Sequence, residues 1–358
     1  MTLTRSDFIA SDDQRNEFYD ELQGLSLGAL WNSPDLAKLQ HVKKVEPRPR
    51  AVPHVWRWDD VLPRALKAAE LVGTQQAERR VLQFKNPGIT ERTATTNTLF
   101  AGIQIVMPGE VARAHRHSLA ALRFIISSEG GYTNVEGEPI PMRPGDLVLT
   151  PNWTWHDHAN DTTQPMIWMD GLDAPLVLMM EAAFQEEHPD ERQPISAERG
   201  ASISQFGVGG LQPLGAPPVQ RHSPLTHFPW SETRPALERF AASAVADPHD
   251  GIIMQYTNPV DGGPVMPTLD CYIQMLRPGE KTAAHRHTSS AIYHVVAGQG
   301  CSVVGEKRLE WTEKDVFCVP NWTTHEHQNT SSTEPAFLFS FTDIPVLRAM
   351  DLLREESV

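Results

Sequence analysis

Eight of the 15 histidines fall into four His-x-His pairs: His115/His117, His156/His158, His285/His287 and His325/His327. Alternate side chains of a β-strand point to the same face, so each pair can set two imidazoles side by side. One more histidine from a neighbouring strand completes a facial set of three nitrogens, and neutral imidazole suits Zn, Cu, Fe and Ni. A single such pair reads as a solvated strand face; four at duplicated spacing read as metal sites. Cysteine adds no comparable signal. Cys271, Cys301 and Cys318 form no C-x-x-C pair and are odd in number, as expected of reduced thiols.

The histidines recur because the chain repeats itself. The stretch from Met107 (M-P-G-E-V-A-R-A-H-R-H-S) matches that from Arg277 (R-P-G-E-K-T-A-A-H-R-H-T) at an offset of 170. Residues 151–158 (P-N-W-T-W-H-D-H) match 320–327 (P-N-W-T-T-H-E-H) at 169, and 165–175 match 335–345 at 170 again. Three ordered blocks define a duplicated unit of about 70 residues.

Within each copy, short runs of β-branched, Leu and aromatic residues alternate with Pro-Gly and Gly-rich turns, the pattern of short strands. Strands are expected at 100–107, 123–127, 132–136 and 146–150, and in the second copy at 270–276, 292–296, 302–304 and 315–319. The class is therefore mainly all-β, with two antiparallel barrels of jelly-roll type. The first barrel is expected over 96–190 and the second over 261–350. A mixed helical arm covers 1–95, and a linker with a helix covers 191–260. Helical spacing marks 12–25 and 62–71 in the arm, and 235–245 in the linker, where Pro235 opens the helix at no cost in hydrogen bonds. Residues 207–218 (G-V-G-G-L-Q-P-L-G-A-P-P) continue no regular element.

The 358 residues are 40% hydrophobic and 21% charged, enough for real cores and too uncharged for a disordered chain. Lys plus Arg is 31 against 45 Asp plus Glu, and the net charge of -14 repels a phosphate backbone. No apolar run is long enough to span a bilayer, and residues 1–16 are too polar for a signal-peptide core. No nucleic acid or membrane partner is expected, and the location expected is cytoplasmic.

The spacing around the histidines resembles the cupin motifs. Gly109 followed by His115-x-His117 resembles the first; Gly145, Pro151-x-Trp153, His156 and Asn160 resemble the second, with Trp153 where glycine is usual. The second copy repeats this as Gly279, His285-x-His287, Lys314, Pro320, Trp322, His325 and Asn329, with Lys314 replacing a glycine. Cupins usually carry a glutamate four or five residues after the second histidine, where Ala121 and Leu122 stand here. The ligand set is then His115, His117 and His156 with no carboxylate. A divalent metal keeps its full charge there and favours an anionic bidentate ligand.

Residues 109–124, 151–158, 168–172 (W-M-D-G-L) and Glu78-Arg79-Arg80 ahead of Asn86-Pro87-Gly88 resemble the bicupin ring-cleaving dioxygenases of the gentisate 1,2-dioxygenase family, which includes salicylate and 1-hydroxy-2-naphthoate dioxygenases. The resemblance implies Fe(II), O₂, a homotetramer, and extradiol-type cleavage of a 2-hydroxybenzoate between the carboxyl-bearing C1 and the hydroxyl-bearing C2. It also implies that Arg79, Gln104 and Asp170 line the pocket. On that reading the planar fork of Arg123 holds the substrate carboxylate. His158, on the face of His156, hydrogen-bonds the phenolate or bound oxygen and moves a proton.

Comparing the copies favours the first as the catalytic one. Arg123 corresponds to Tyr293 and Asp170 to Ser340, while Gln104 and Gln274 agree. The second copy thus keeps His285, His287 and His325 as a secondary metal set without an anion pocket. Leu119-Ala120 and Ser127-Ser128-Glu129-Gly130-Gly131 depart from the gentisate pattern, which leaves salicylate, a 5-substituted salicylate or 1-hydroxy-2-naphthoate open as substrate. The competing class is a non-catalytic metal-binding bicupin.

Overall fold

A computed structural model describes residues 10–33, 45–77, 79–128, 130–216 and 221–358; Glu78, Glu129 and positions 217 and 218 of the segments quoted above lie outside them. The chain forms two units that divide after Pro47. In the first, a helix at Asp12–Gly24 opens with a capping box in which the Ser11 hydroxyl accepts from Gln14 N–H and the Gln14 side chain accepts from Ser11 N–H, two otherwise orphaned donors satisfied reciprocally. None of its residues is buried.

The second unit holds four antiparallel sheets. In the first copy, a six-stranded sheet runs in the order His227–Phe228, Leu147–Thr150, Ala121–Ser127, Met166–Leu172, Phe100–Val106, Val81–Gln83. It faces a five-stranded sheet in the order Gln185–Glu187, Val111–His117, His156–Ala159, Tyr132–Val135, Glu138–Pro141. The second copy repeats both sheets, with Ala291–Ala297, Ala336–Thr342 and Asp270–Leu276 in its large sheet and His285–His287 and His325–Asn329 in its small one. Each copy is a two-sheet jelly roll; among the described residues no hydrogen-bonded ring closes it into a barrel.

Strand alternation decides which residues serve the core and which serve the site. Leu122, Phe124, Ile103, Ile105, Ile167 and Met169 share one face of the first large sheet and pack on Ile273, Phe339 and Phe341 of the second, where the Phe124 and Phe339 rings stack 4.3 Å apart. The two large sheets are thus buried back to back, and the small sheets lie outside. The intervening residues, Gln104, Arg123 and Asp170, point the other way, into the first copy's interior beside Val106, Ile125 and Trp168. A two-residue period alone therefore turns three polar side chains inward from strands that are otherwise apolar but for the exposed Ser127.

The copies also exchange segments. His54–Trp56, ahead of the first copy, pairs with Val316–Val319 of the second, and His227–Phe228, ahead of the second, pairs with Leu147–Thr150 of the first. The helices that follow, Trp58–Leu71 and Trp230–Ala241, are capped across the same divide. Asp315 accepts from Trp58 N–H at 2.7 Å and pairs with Arg57 at 3.0 Å. Asp146 accepts from Trp230 N–H at 2.8 Å and pairs with His227 at 2.8 Å.

This explains why both helices begin earlier than residues 62 and 235, leaving Pro63 and Pro235 inside them. The local N-cap residues Arg57 and Pro229 make no side-chain cap; the caps arrive from 257 and 84 residues away. Trp58-x₄-Pro63 and Trp230-x₄-Pro235 stand 172 apart, as do Asn86-Pro87 and Asn258-Pro259, so the duplication runs well beyond the three matching blocks. Glu138–Pro141, with its two prolines, is a strand the sequence pattern misses. It sits at a sheet edge, where proline's absent donor is tolerated.

Candidate metal centre and its cavity

His115 and His117 lie on Val111–His117, directly beside His156 on the neighbouring strand, with His115 opposite His156. One extra residue is accommodated between Ala112 and His115. This bulge resets the alternation, so that the inward face carries Ala112 and then both histidines. The three ring centroids are 5.3, 4.3 and 4.9 Å apart, and their candidate donor atoms lie within 4.8 Å of one another.

Backbone carbonyls orient the rings. His117 Nδ1 bonds Leu119 O at 2.8 Å and His156 Nδ1 bonds Thr154 O at 3.0 Å, which fixes the proton on Nδ1 and turns the Nε2 lone pairs into the cluster. His156 Nε2 is buried without a hydrogen-bond partner among the described residues. Burial, followed by Arg79, pushes His115 down to about 2, and burial pushes His117 down to about 4. All three rings are therefore neutral at physiological pH, the form that ligates metal. A converging neutral donor with no partner fits a divalent transition metal.

The loop carrying His156 is built on a tight left-handed residue. Trp153 has φ of 63°, Trp322 in the second copy 55°, at the position where the cupin motif favours glycine; such a conformation costs an L-residue roughly 1–2 kcal/mol. In return the Trp153 N–H donates to His117 O at 2.7 Å, and Trp322 N–H to His287 O at 2.6 Å, tying one motif to the other. Lys314 likewise keeps the left-handed backbone of Gly145, at 72° against 86°.

Above the triad is a cavity of about 410 Å³. Arg79, Gln104, Arg123 and Asp170 all line it. Arg123 and Asp170 are register neighbours on paired strands. Arg123 Nε lies 3.6 Å from Asp170 Oδ1, which also accepts from Trp168 Nε1 at 2.7 Å, and Arg123 Nη1 contacts the Thr150 hydroxyl. Burial lowers the Arg123 pKa and raises that of Asp170, and the pairing opposes both shifts. Arg79 donates to Arg113 O at 2.8 Å and contacts the His115 ring. Gln104 Nε2 is buried without a partner among the described residues.

His158 is placed differently. It is fully buried behind the triad rather than in the cavity wall, 6.0 Å from His156 and 4.9 Å from Trp168 by ring centroids. Neither ring nitrogen has a hydrogen-bond partner among the described residues, and burial, then Arg123, push its pKa well down. The cavity's apolar wall, Val81, Phe100, Leu119, Ala121 and Leu172, was largely invisible to motif reading; only Leu119 and Ala121, flanking the first His-x-His, carried a signal.

The second triad is nearly superposable in its spacing, 5.5, 4.2 and 4.9 Å, with His287 and His325 oriented through Ser289 O and Thr323 O. Its surroundings differ. Tyr293 stacks on Phe317 at 4.8 Å within an apolar cluster that includes Trp311, so an aromatic ring stands where the first copy has a guanidinium.

Two jelly rolls in one chain, each with three convergent histidines, define a bicupin of the metal-binding kind. The Cupin domain model matches residues 102–172 and 272–342. Gentisate 1,2 dioxygenase 1 of Aquipseudomonas alcaligenes is 38% identical over 99% of both chains, and 5-aminosalicylate 1,2-dioxygenase of a Comamonas species is 43% identical over 87% of this chain and 83% of its own. The crystal structure of a salicylate 1,2-dioxygenase from Pseudaminobacter salicylatoxidans superposes with a TM-score of 0.89, at 34% identity over 98% of this chain and 99% of that one. The chain belongs to the gentisate 1,2-dioxygenase family of ring-cleaving dioxygenases.

Proposed function

We propose that the chain uses Fe(II), held by His115, His117 and His156, to cleave a 2-hydroxybenzoate between C1 and C2, one atom of O₂ going to each carbon. The observation that carries this reading is a three-histidine donor set without a carboxylate, opening on a buried arginine. Fe(II) in that set would supply adjacent positions for an anionic chelating substrate and for O₂, and the electrons of the aromatic ring reduce the O₂. Arg123 binds the substrate carboxylate with its fork, and Asp170 holds the guanidinium in place. Gln104 offers its unpartnered amide to a substrate oxygen, and Arg79 adds positive charge beside His115. The apolar wall excludes water around the ring. We assign the phenolic proton to His158, which stands off the cavity wall and would receive it through an intervening group rather than by contact with the substrate.

The substrate assigned is of the gentisate type. A second reading, a larger or 5-substituted salicylate or 1-hydroxy-2-naphthoate, is favoured by a groove of about 480 Å³ that shares Gln83, Phe100 and Leu172 with the cavity and continues to Leu178 and Met179. We take His285, His287 and His325 as a secondary metal set with no part in turnover, because Tyr293 and Ser340 supply no anion pocket. The assembly and location assigned are a homotetramer in the cytoplasm. The exposed Leu178, Met179 and Met180 are surface that assembly would cover, and the three buried free cysteines suit a reducing compartment.

The test is anaerobic loading with Fe(II), addition of each 2-hydroxybenzoate in turn, and admission of air. Chelation should change the visible spectrum and O₂ uptake should follow; His115→Ala should lose iron and turnover together. Full iron occupancy and turnover in that variant would rule the assignment out.

A further inference from the structure

The Leu119 carbonyl that orients His117 lies in a turn that is tied to the second copy through one buried carboxylate, Asp173. Ala120 N–H donates to Asp173 Oδ1 at 3.0 Å, and Asp173 Oδ2 accepts the hydroxyl of Thr268, a second-copy residue, at 2.6 Å. Asp173 is 2% exposed. The second copy has the same arrangement in reverse. His287 Nδ1 bonds Ser289 O at 2.9 Å, with the Ser289 hydroxyl, which Leu119 lacks, also 2.8 Å away; Ser290 N–H donates to Asp343 Oδ1 at 2.8 Å, and Asp343 Oδ2 accepts the hydroxyl of Thr98 at 2.5 Å. Every link has its counterpart 170 residues on, and each hydroxyl comes from the opposite copy. A buried carboxylate is costly unless its hydrogen bonds are filled. These two fill theirs with a ligand-bearing turn on one side and the other copy on the other.

We propose that Asp173 and Thr268 are positioning residues for the first metal centre: through the turn 118–120 they set the direction of His117 Nε2, so that the second copy governs how tightly the first holds its metal. Asp343 and Thr98 do the converse for His287. The proposal rests on the reading of His115, His117 and His156 as the metal centre.

The test uses the full chain carrying His285→Ala and His287→Ala, so that only the first triad binds, titrated anaerobically with Co(II), whose visible bands report coordination geometry. In this parent, Thr268→Val should weaken Co(II) binding about tenfold, equivalent to about 1.4 kcal/mol, and alter the band intensities. Thr268→Ser, which keeps the hydroxyl, should bind like the parent. Thr98→Val, which removes the mirror tie but has no path to His117, should also leave the first triad's affinity intact. If Thr268→Val lowers the melting temperature while affinity and spectrum stay those of the parent, or if Thr98→Val weakens binding equally, the pair is only a tie between copies and the proposal falls. Should Val not be tolerated, Thr268→Ala is judged by the same criteria. A parent that binds no Co(II) overturns the metal-centre reading itself, and the proposal with it.

Discussion

Arg123 is 4% exposed and Asp170 is its nearest charged neighbour at 3.6 Å, too far for a close bidentate pair, so the guanidinium keeps hydrogen-bonding capacity for an incoming anion. Lysine would retain the charge and lose the planar fork. Arg123→Lys should therefore mainly raise KM in steady-state kinetics, with kcat little changed, because the carboxylate is held alike in ground and transition states. His158→Ala removes a proton acceptor whose ring nitrogens have no hydrogen-bond partner among the described residues, and should lower kcat by roughly 10²-fold while iron content by metal analysis stays at the wild-type level. Iron loss in that variant would make His158 a ligand. The clustering of His115, His117 and His156 was legible from the strand period together with the cupin motif; the period alone leaves His156 and His158 on one face. The depth of His158 was not: residues 156 and 158 share a face, yet His158 packs 4.9 Å from Trp168 by ring centroids and only His156 lines the cavity.

Elements carry the next set of consequences. Asp146 serves both a helix N-terminus and a strand that belong to the approach to the other copy, so Asp146→Ala orphans the Trp230 N–H and His227 together. An unmet buried donor costs about 1–3 kcal/mol; the variant should melt earlier by calorimetry yet bind metal like the wild type, since Asp146 touches no part of the cavity wall. Equal loss of metal and stability would mean that the exchanged segment shapes the site. Strand positions within each copy were readable because apolar runs and Pro-Gly turns are local signals. Helix starts at Trp58 and Trp230 were not, because their caps come from distant carboxylates, and a proline inside the first turns imitates a helix start.

For the molecule as a whole, the buried histidines dominate the response to acid. Burial holds His117 and His285 down to about 4 and His294 and His327 down to about 3, against about 6.5 in an unfolded chain. Below that value the unfolded state binds protons that the fold refuses, so stability falls with pH by about 1.4 kcal/mol per unit for each such group. The loss starts near pH 6.5 and continues toward pH 4. Asp250, raised to about 7, and Asp173 and Asp343, raised to about 6, all by burial, act in the opposite sense and offset part of this loss, but the raised carboxyls are fewer than the depressed imidazoles. Metal-free protein should show a urea midpoint at pH 5 well below that at pH 7.5; a flat profile between them would contradict the neutral burial of these rings. The exchange of His54–Trp56 and His227–Phe228 has a further consequence, for the order of events on the ribosome. The N-terminal strand must wait for Val316–Val319 to be made, and the first copy's sheet keeps the edge of Leu147–Thr150 open until residue 228 emerges. Neither half can complete itself as a nascent chain, and the exposed edge in the interval is a template for pairing with another polypeptide. The duplication that gave the enzyme two similar halves has thereby made each one a requirement for finishing the other.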